Sequence, residues 1–193
     1  KVEARWQSDS TLGTFKYEFK DLDYDESDNP GVEVYMDSGV ALPFAINYLI
    51  NRGITGLQWY SRIPGTIGGA IFNNIHGGSH FFQEVIESVK ILDENSEVKE
   101  LKSNDLKTDY DESRFHKTSE IILGARFRLY KGNKDNARYV ALEWAKRKAI
   151  QPSKTPGCVF KNISNELKEK LGYPTTATGY IVEHILKMSG FHM

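Results

Sequence analysis

The sequence predicts an α+β fold: a mostly antiparallel sheet with flanking helices, followed by a smaller α/β piece. Three observations carry this. Apolar and polar residues alternate with period two over Phe15–Phe19 and Val32–Met36, the mark of half-exposed strands. Val85–Asp93 and Glu97–Leu101 flank Glu94-Asn95-Ser96, a hairpin by pattern and turn chemistry, and Glu120–Tyr130 is the strongest strand in the chain. Its continuous apolar opening predicts burial on both faces. Finally, the linker Lys131-Gly132-Asn133 precedes a helix over Asp135–Ile150, with Ala137, Val140, Ala141, Trp144 and Ala145 on one side. The expected domains are therefore residues 1–133 and 134–193.

The remaining elements follow in order. Asp21–Asp28 is acidic and reads as a loop, closed by Asn29-Pro30-Gly31. Ser38-Gly39 leads into a helix with Pro43 near its first turn. Phe44, Ala45, Tyr48 and Leu49 share one face of it, and Gly53 stands where a C-terminal glycine belongs. Trp59 and Tyr60 read as core aromatics. Ser103 is placed to cap a short turn ending near Leu106. Beyond the long helix, Gln151–Pro156 is a proline-broken connection. A short strand at Cys158–Lys161 and a short helix capped by Ser164 come next. The last helix runs about Gly179–Ser189, burying Ile181, Val182, Ile185 and Leu186, with Gly190 as its stop.

Composition excludes several classes. A formal net charge of −1 leaves no basic field to recruit nucleic acid and no polybasic membrane patch. The longest apolar run, VALPFAINYLI, is too short and too polar to span a bilayer. One cysteine, Cys158, excludes an intramolecular disulfide and fits a reducing, cytoplasmic setting. His76 and His80 are four apart, but Gly77 and Gly78 between them argue against a helical metal pair, so no metal is expected. No protein partner is evident.

The stretch with chemistry in it is Ile63–Gly78, IPGTIGGAIFNNIHGG. Five glycines, one proline and two asparagines in sixteen residues between apolar flanks point to a ligand-binding loop rather than a structural turn. Pro64-Gly65-Thr66 forces a turn, and Gly68-Gly69 lets backbone approach a ligand closely. Backbone N–H groups there can converge on an anionic partner, with Asn73, Asn74 and His76 as further donors.

IPGTIGGAIFNN resembles the flavin-binding loop of the UDP-N-acetylenolpyruvoylglucosamine reductase (MurB) family. The resemblance extends, with gaps, over most of Val32–Met193: SGVALPFAINYLINRGITGLQW upstream, and ESVKILD, SRF and PGCVFKN downstream. It implies the central part of a PCMH-type FAD-binding domain followed by a truncated α/β substrate-binding domain. It also implies FAD held at Ile63, Pro64, Gly65, Thr66, Gly68, Gly69 and Asn73, reduction by NADPH, and a UDP-sugar substrate. Family members open with a βαβ subdomain bearing a glycine-serine-rich pyrophosphate loop, and they end in strands bearing a catalytic glutamate. Neither pattern is found, so the chain reads as a central piece of a longer protein, with a natural short form as the alternative.

Two motifs carry the implied chemistry. In Gly157-Cys158-Val159-Phe160-Lys161-Asn162, Cys158 stands where the family's serine donates a proton. A thiol mostly protonated at neutral pH can serve there, and Lys161 and Asn162 suit a nucleotide sugar. The plain alternative is a packed core thiol. The second family pattern is Tyr-Arg-x-Ser-x-Phe. Here Tyr110, Ser113 and Phe115 match, but Asp111 replaces an arginine that serves the substrate carboxylate. Arg114, three residues on, is the candidate compensating cation, and the plain alternative is a charged surface turn. Three functions remain open: the reductase, a flavin- or nucleotide-sugar-binding protein without reductase activity, and a flavin oxidase with another substrate.

Overall fold

The computed structural model describes Leu22 and residues 24–149 and 160–186. The chain divides into two compact units, Lys1–Ile150 and Gln151–Met193. The expected strand at 15–19 and Cys158 lie outside the described residues, as do most of the expected strand at 158–161 and the end of the last helix.

The first unit is α+β. Its sheet is built on β7 (Ile121–Lys131), which pairs antiparallel with β1 (Gly31–Asp37), with the short β2 (Ile54–Thr55) and with β5 (Ile86–Leu92). β5 in turn pairs with β6 (Val98–Lys102), giving the order β1-β7-β5-β6. The β5–β6 turn works as its sequence suggests: Asp93 Oδ1 accepts the backbone N–H groups of Asn95 and Glu97, both at 2.9 Å, and Ser96 takes φ 62°.

Only one face of β7 is packed. Ala125, Phe127 and Leu129 are buried in the core, while Arg126 pairs with Glu33 at 2.7 Å and with Glu100 at 3.4 Å on the other face. Ile121 is 58% exposed, so the expected two-sided burial does not hold. The apolar opening lies at the end of the strand, and further along the alternation of an antiparallel sheet takes over.

Helix α1 (Leu42–Ile50) buries Leu42, Ala45, Ile46, Leu49 and Ile50. Phe44 and Tyr48, expected on the inner face, are 63% and 45% exposed. The helix is apolar nearly all round, and the i, i+3, i+4 stripe from Leu42 wins over the one from Phe44 because Leu42 is first to meet the core. A short helix α2 (Ile67–Phe72) follows, then a small hairpin of β3 (His76–Gly77) and β4 (His80–Phe81). Ser103 does not cap the turn Ser103–Leu106: Asp105 accepts the Lys102 N–H at 3.2 Å, and the Ser103 hydroxyl goes to the Gln83 carbonyl at 3.4 Å.

Helix α3 (Lys134–Ala149) starts where Asn133 Oδ1 accepts the N–H groups of Asp135 and Asn136. Ala137 joins the main core, and Val140 and Trp144 pack with Trp59 and Leu22. The break in compactness thus falls one helix later than the linker at 131–133, because the apolar face of α3 is covered by the first unit. The acidic segment is not simply solvated either. Glu26 is buried, accepting from Thr55 Oγ1 at 2.5 Å and from Gln58 Nε2 at 3.0 Å.

In the second unit Ser164 caps α4 (Asn165–Leu171), accepting the Leu167 N–H at 3.1 Å, and Gly172 ends it at φ 66°. Helix α5 (Thr178–Tyr180) widens into a π turn over Ile181–Ile185. Ile181 is buried and Leu186 is 49% exposed, so the expected four-residue apolar face is only partly covered. No helix among the described residues is long and apolar enough to cross a membrane, and none of their side chains cluster as a metal site.

Candidate functional site

The 63–78 stretch is held by the sheet through a short relay. A bulge between β5 and β7 leaves Leu123 unpaired in the ladder, and its carbonyl accepts the Ser38 N–H at 2.9 Å. The Ser38 carbonyl accepts from Gly68 N–H at 2.8 Å and the Val40 carbonyl from Ile67 N–H at 2.9 Å, while Leu42 N–H reaches the Gly65 carbonyl at 3.0 Å. A Cβ on Gly68 would lie 2.9 Å from the Ser38 Cβ, so glycine is required by the close approach of two backbones.

This relay corrects the expectation that the loop amides converge on a ligand. Those of Ile67 and Gly68 are spent on the 38–40 turn, and those of Gly69 and Ala70 on Thr66. What the stretch offers outward is an edge. Pro64, Gly65, Thr66, Gly69, Phe72 and Asn73 are all exposed. Gly65 sits at φ 120° with nothing within 4 Å of an added Cβ, and at Gly69 only Thr66 Oγ1 comes within that range, at 3.7 Å. A flat ligand can therefore lie against bare backbone there. Asn73 closes the edge, its amide donating to the Gly69 carbonyl at 3.2 Å. Ile63 is half-buried against the core and anchors rather than presents.

Asn74 and the 109–113 turn are joined to this edge. Asn74 is buried, donating to the Asp109 carbonyl at 3.0 Å and accepting the Gln83 N–H at 3.1 Å. It is thus a brace rather than the expected outward donor. Ser113 is buried and donates to the Phe72 carbonyl at 2.6 Å. Between these two ties, Tyr110 and Asp111 project beside His76. The His76 and Tyr110 rings are 5.2 Å apart, and His76 Nε2 stands 3.9 Å from Asp111 Oδ1.

Arg114 is occupied. Its guanidinium meets both oxygens of Glu120, at 3.0 and 2.8 Å, and also the Asp105 carbonyl at 3.2 Å. All three of its guanidinium nitrogens are thus engaged within the turn and its neighbours. Lys117 likewise pairs with Glu112 at 2.5 Å. In the second unit, Asn162 Oδ1 accepts the Thr178 N–H at 3.2 Å and the Lys161 carbonyl accepts the Thr178 hydroxyl at 2.7 Å. Both residues steady the start of α5, with the Lys161 side chain left exposed.

Sequence reasoning passed over two features. Behind His76 lies a cavity of about 520 Å³ walled by Trp59, His80, Gly77 and Trp144, with His80 stacked on Trp59 at 3.8 Å. Beside it, burial and the Glu26 carboxylate push the Tyr24 hydroxyl up to about 12. Both depend on pairings of distant residues, which no local pattern signals.

Residues 19–102 match the family described as FAD binding domain. The UDP-N-acetylenolpyruvoylglucosamine reductase of Pediococcus pentosaceus is 33% identical over 168 residues, covering 83% of this chain and 56% of that protein. The reductase of Chlamydia felis is 33% identical over 143 residues, covering 72% of this chain and 47% of that protein. Over these spans the chain is similar to the UDP-N-acetylenolpyruvoylglucosamine reductases. The crystal structure of the Thermus caldophilus reductase (MurB) shares its fold, with a TM-score of 0.61 over 79% of this chain and 56% of that one at 22% identity. The chain spans about half the length of the curated reductases it matches.

Proposed function

We propose that the chain carries the flavin-facing part of an FAD-dependent, NADPH-using reductase that converts UDP-N-acetylglucosamine enolpyruvate to UDP-N-acetylmuramate, a cytoplasmic step of peptidoglycan precursor synthesis. The observation that supports it most is the bare backbone edge of Pro64–Thr66, Gly69 and Asn73, lying within the stretch that matches the FAD binding domain family. In this reading residues 1–133 belong with the flavin and 134–193 with the substrate.

Bound FAD, once reduced by NADPH, supplies a hydride to the enol ether double bond. The protein's residues do the rest. The edge positions the flavin through Gly65, Thr66, Gly69 and Asn73, with Ile63, Pro64 and Gly68 fixing its shape. Tyr110 and the buried Ser113 shape the substrate side, Ser113 by tying the turn to Phe72. Lys161 and Asn162 face the nucleotide sugar. Cys158 gives its thiol proton to the carbon beside the one that receives hydride, and the thiolate regains a proton from solvent. Arg114 acts through its grip on Glu120 rather than on substrate.

The test has two stages. Quenching of flavin fluorescence on titration with the chain reports FAD binding, and NADPH oxidation dependent on the UDP-sugar reports the reaction. Binding without turnover favours a flavin- or nucleotide-sugar-binding protein, a reading that Asp111 in the arginine's place supports. Turnover with another substrate and oxygen favours a flavin oxidase.

A further inference from the structure

Asp111 puts a carboxylate into the candidate site, and the immediate question is what answers it. Its backbone sits at φ 52° in a tight turn closed by reciprocal hydrogen bonds between Asp109 and Glu112. Asn74 pins that turn from one side and Ser113 from the other, so Asp111 is held in place rather than free to swing away. Among the described residues the cations of this segment are committed: Arg114 to Glu120, and Lys117 to Glu112. His76 remains. Its Nε2 faces Asp111 at 3.9 Å, and its ring lies between Tyr110 and Phe81, at 5.2 and 5.6 Å. The other ring nitrogen has no hydrogen-bond partner among the described residues. Both side chains are partly exposed, 34% for His76 and 43% for Asp111, so a ligand can reach them.

We propose that His76 is the specificity-determining residue of this site. As imidazolium it cancels the charge of Asp111 and offers an N–H to an incoming carboxylate; as neutral imidazole it leaves Asp111 to repel that carboxylate. The ligand class is a carboxylate-bearing sugar nucleotide, and the inference rests on the proposed function above. Among the described residues the titratable groups around His76 are these. Asp111 and Tyr110 come from the 109–112 turn. On the hairpin side, His80 is stacked on Trp59 and paired with Glu84 at 3.4 Å. Imidazole is the side chain suited to a charge switch between pH 5 and 8.

Two sugar nucleotides make the test, alike except for the carboxylate: UDP-N-acetylglucosamine enolpyruvate and UDP-N-acetylglucosamine. Each is titrated calorimetrically into the full chain near pH 5.5 and near pH 8, and the ratio of the two affinities is taken. The diphosphate is common to both, so its own titration cancels in that ratio. In the wild type the ratio is expected to shift towards the carboxylate ligand by about two- to fivefold on acidification, the scale of a partly exposed charge pair. His76→Gln should flatten the shift, and Asp111→Asn should raise the ratio at pH 8. Circular dichroism and melting temperature establish that both variants fold. A flat wild-type ratio, or a shift that survives His76→Gln, overturns the inference alone. Binding of neither sugar at either pH overturns the proposed function and the inference with it.

Discussion

The guanidinium of Arg114 shows how far surroundings redefine a residue that sequence alone nominates as a ligand. Glu120, its partner, is only 10% exposed, so removing the arginine strands a carboxylate that water hardly reaches. Arg114→Ala should lower stability by about 2–3 kcal/mol, read from the urea midpoint, and Arg114→Lys should not restore it, because lysine lacks the two-pronged geometry. Equal urea midpoints in all three proteins would show the pair to be idle. Cys158 stands at the same scale with chemistry instead of packing at stake. If it is the proton donor, Cys158→Ala should slow substrate reduction by roughly 10²–10⁴-fold while NADPH still bleaches the flavin, and Cys158→Ser should keep much of the activity. Rapid mixing separates the two half-reactions. Unaltered flavin reoxidation by substrate in the alanine variant would leave Cys158 a packed thiol.

Among elements, those whose signal is local were legible in the sequence. The hairpin of β5 and β6, the long β7 and the stripe of Ala137, Val140 and Trp144 on α3 all came from period and turn chemistry, which act between near neighbours. What failed was decided by partners far along the chain. Phe44 and Tyr48 turn outward because Leu42 and Ile46 meet the core first. The flavin-loop resemblance picks out the 63–78 stretch, which lies within the residues that match the FAD binding domain family. It did not show that the amides of Ile67 and Gly68 are spent on Ser38 and Val40, nearly thirty residues earlier. The pairing of His76 with Asp111 was hidden for the same reason. This relay makes Gly68 a sharp probe of how the edge is built. An alanine Cβ would meet Ser38 Cβ at 2.9 Å and its carbonyl at 3.2 Å, forcing the 38–40 turn and α2 apart. Gly68→Ala should therefore cost about 1–3 kcal/mol and weaken FAD binding together with stability. Gly69→Ala, whose Cβ meets only Thr66 Oγ1 at 3.7 Å, should leave stability within about 0.5 kcal/mol. If the two variants melt alike, Gly68 is not where the backbones are forced together.

At the scale of the first unit, three separate parts of the chain are tied by one buried polar network. Glu26 accepts from Thr55 Oγ1 and from Gln58 Nε2, and the same Gln58 amide reaches the Tyr24 hydroxyl at 3.0 Å, while its carbonyl takes the Gly56 N–H at 2.7 Å. Gly132, at the far end of β7, presses on this knot so closely that a Cβ there would run into Thr55 and Glu26. The network carries a pH dependence of definite sign. Tyr24 is raised from an ordinary 10.0 to about 12, first by burial and then by the Glu26 charge, against a smaller opposing effect of the Gln58 hydrogen bond. A raised tyrosine is one whose neutral form the fold prefers. Its contribution is complete below pH 10, where the unfolded chain is also neutral, and drains away as pH climbs from 10 through about 12. Tyr60, buried in the core, is displaced in the same direction. The unit should thus lose stability steeply at alkaline pH. Subtracting the tyrosinate absorbance titration of Tyr24→Phe from that of the wild type isolates the Tyr24 curve among ten tyrosines. Its midpoint should fall near 12, and Glu26→Gln should draw it back only part of the way, because burial is the larger cause. A difference curve centred at 10.0 in the folded protein would mean that Tyr24 is solvated and that the knot at Glu26 does not close over it.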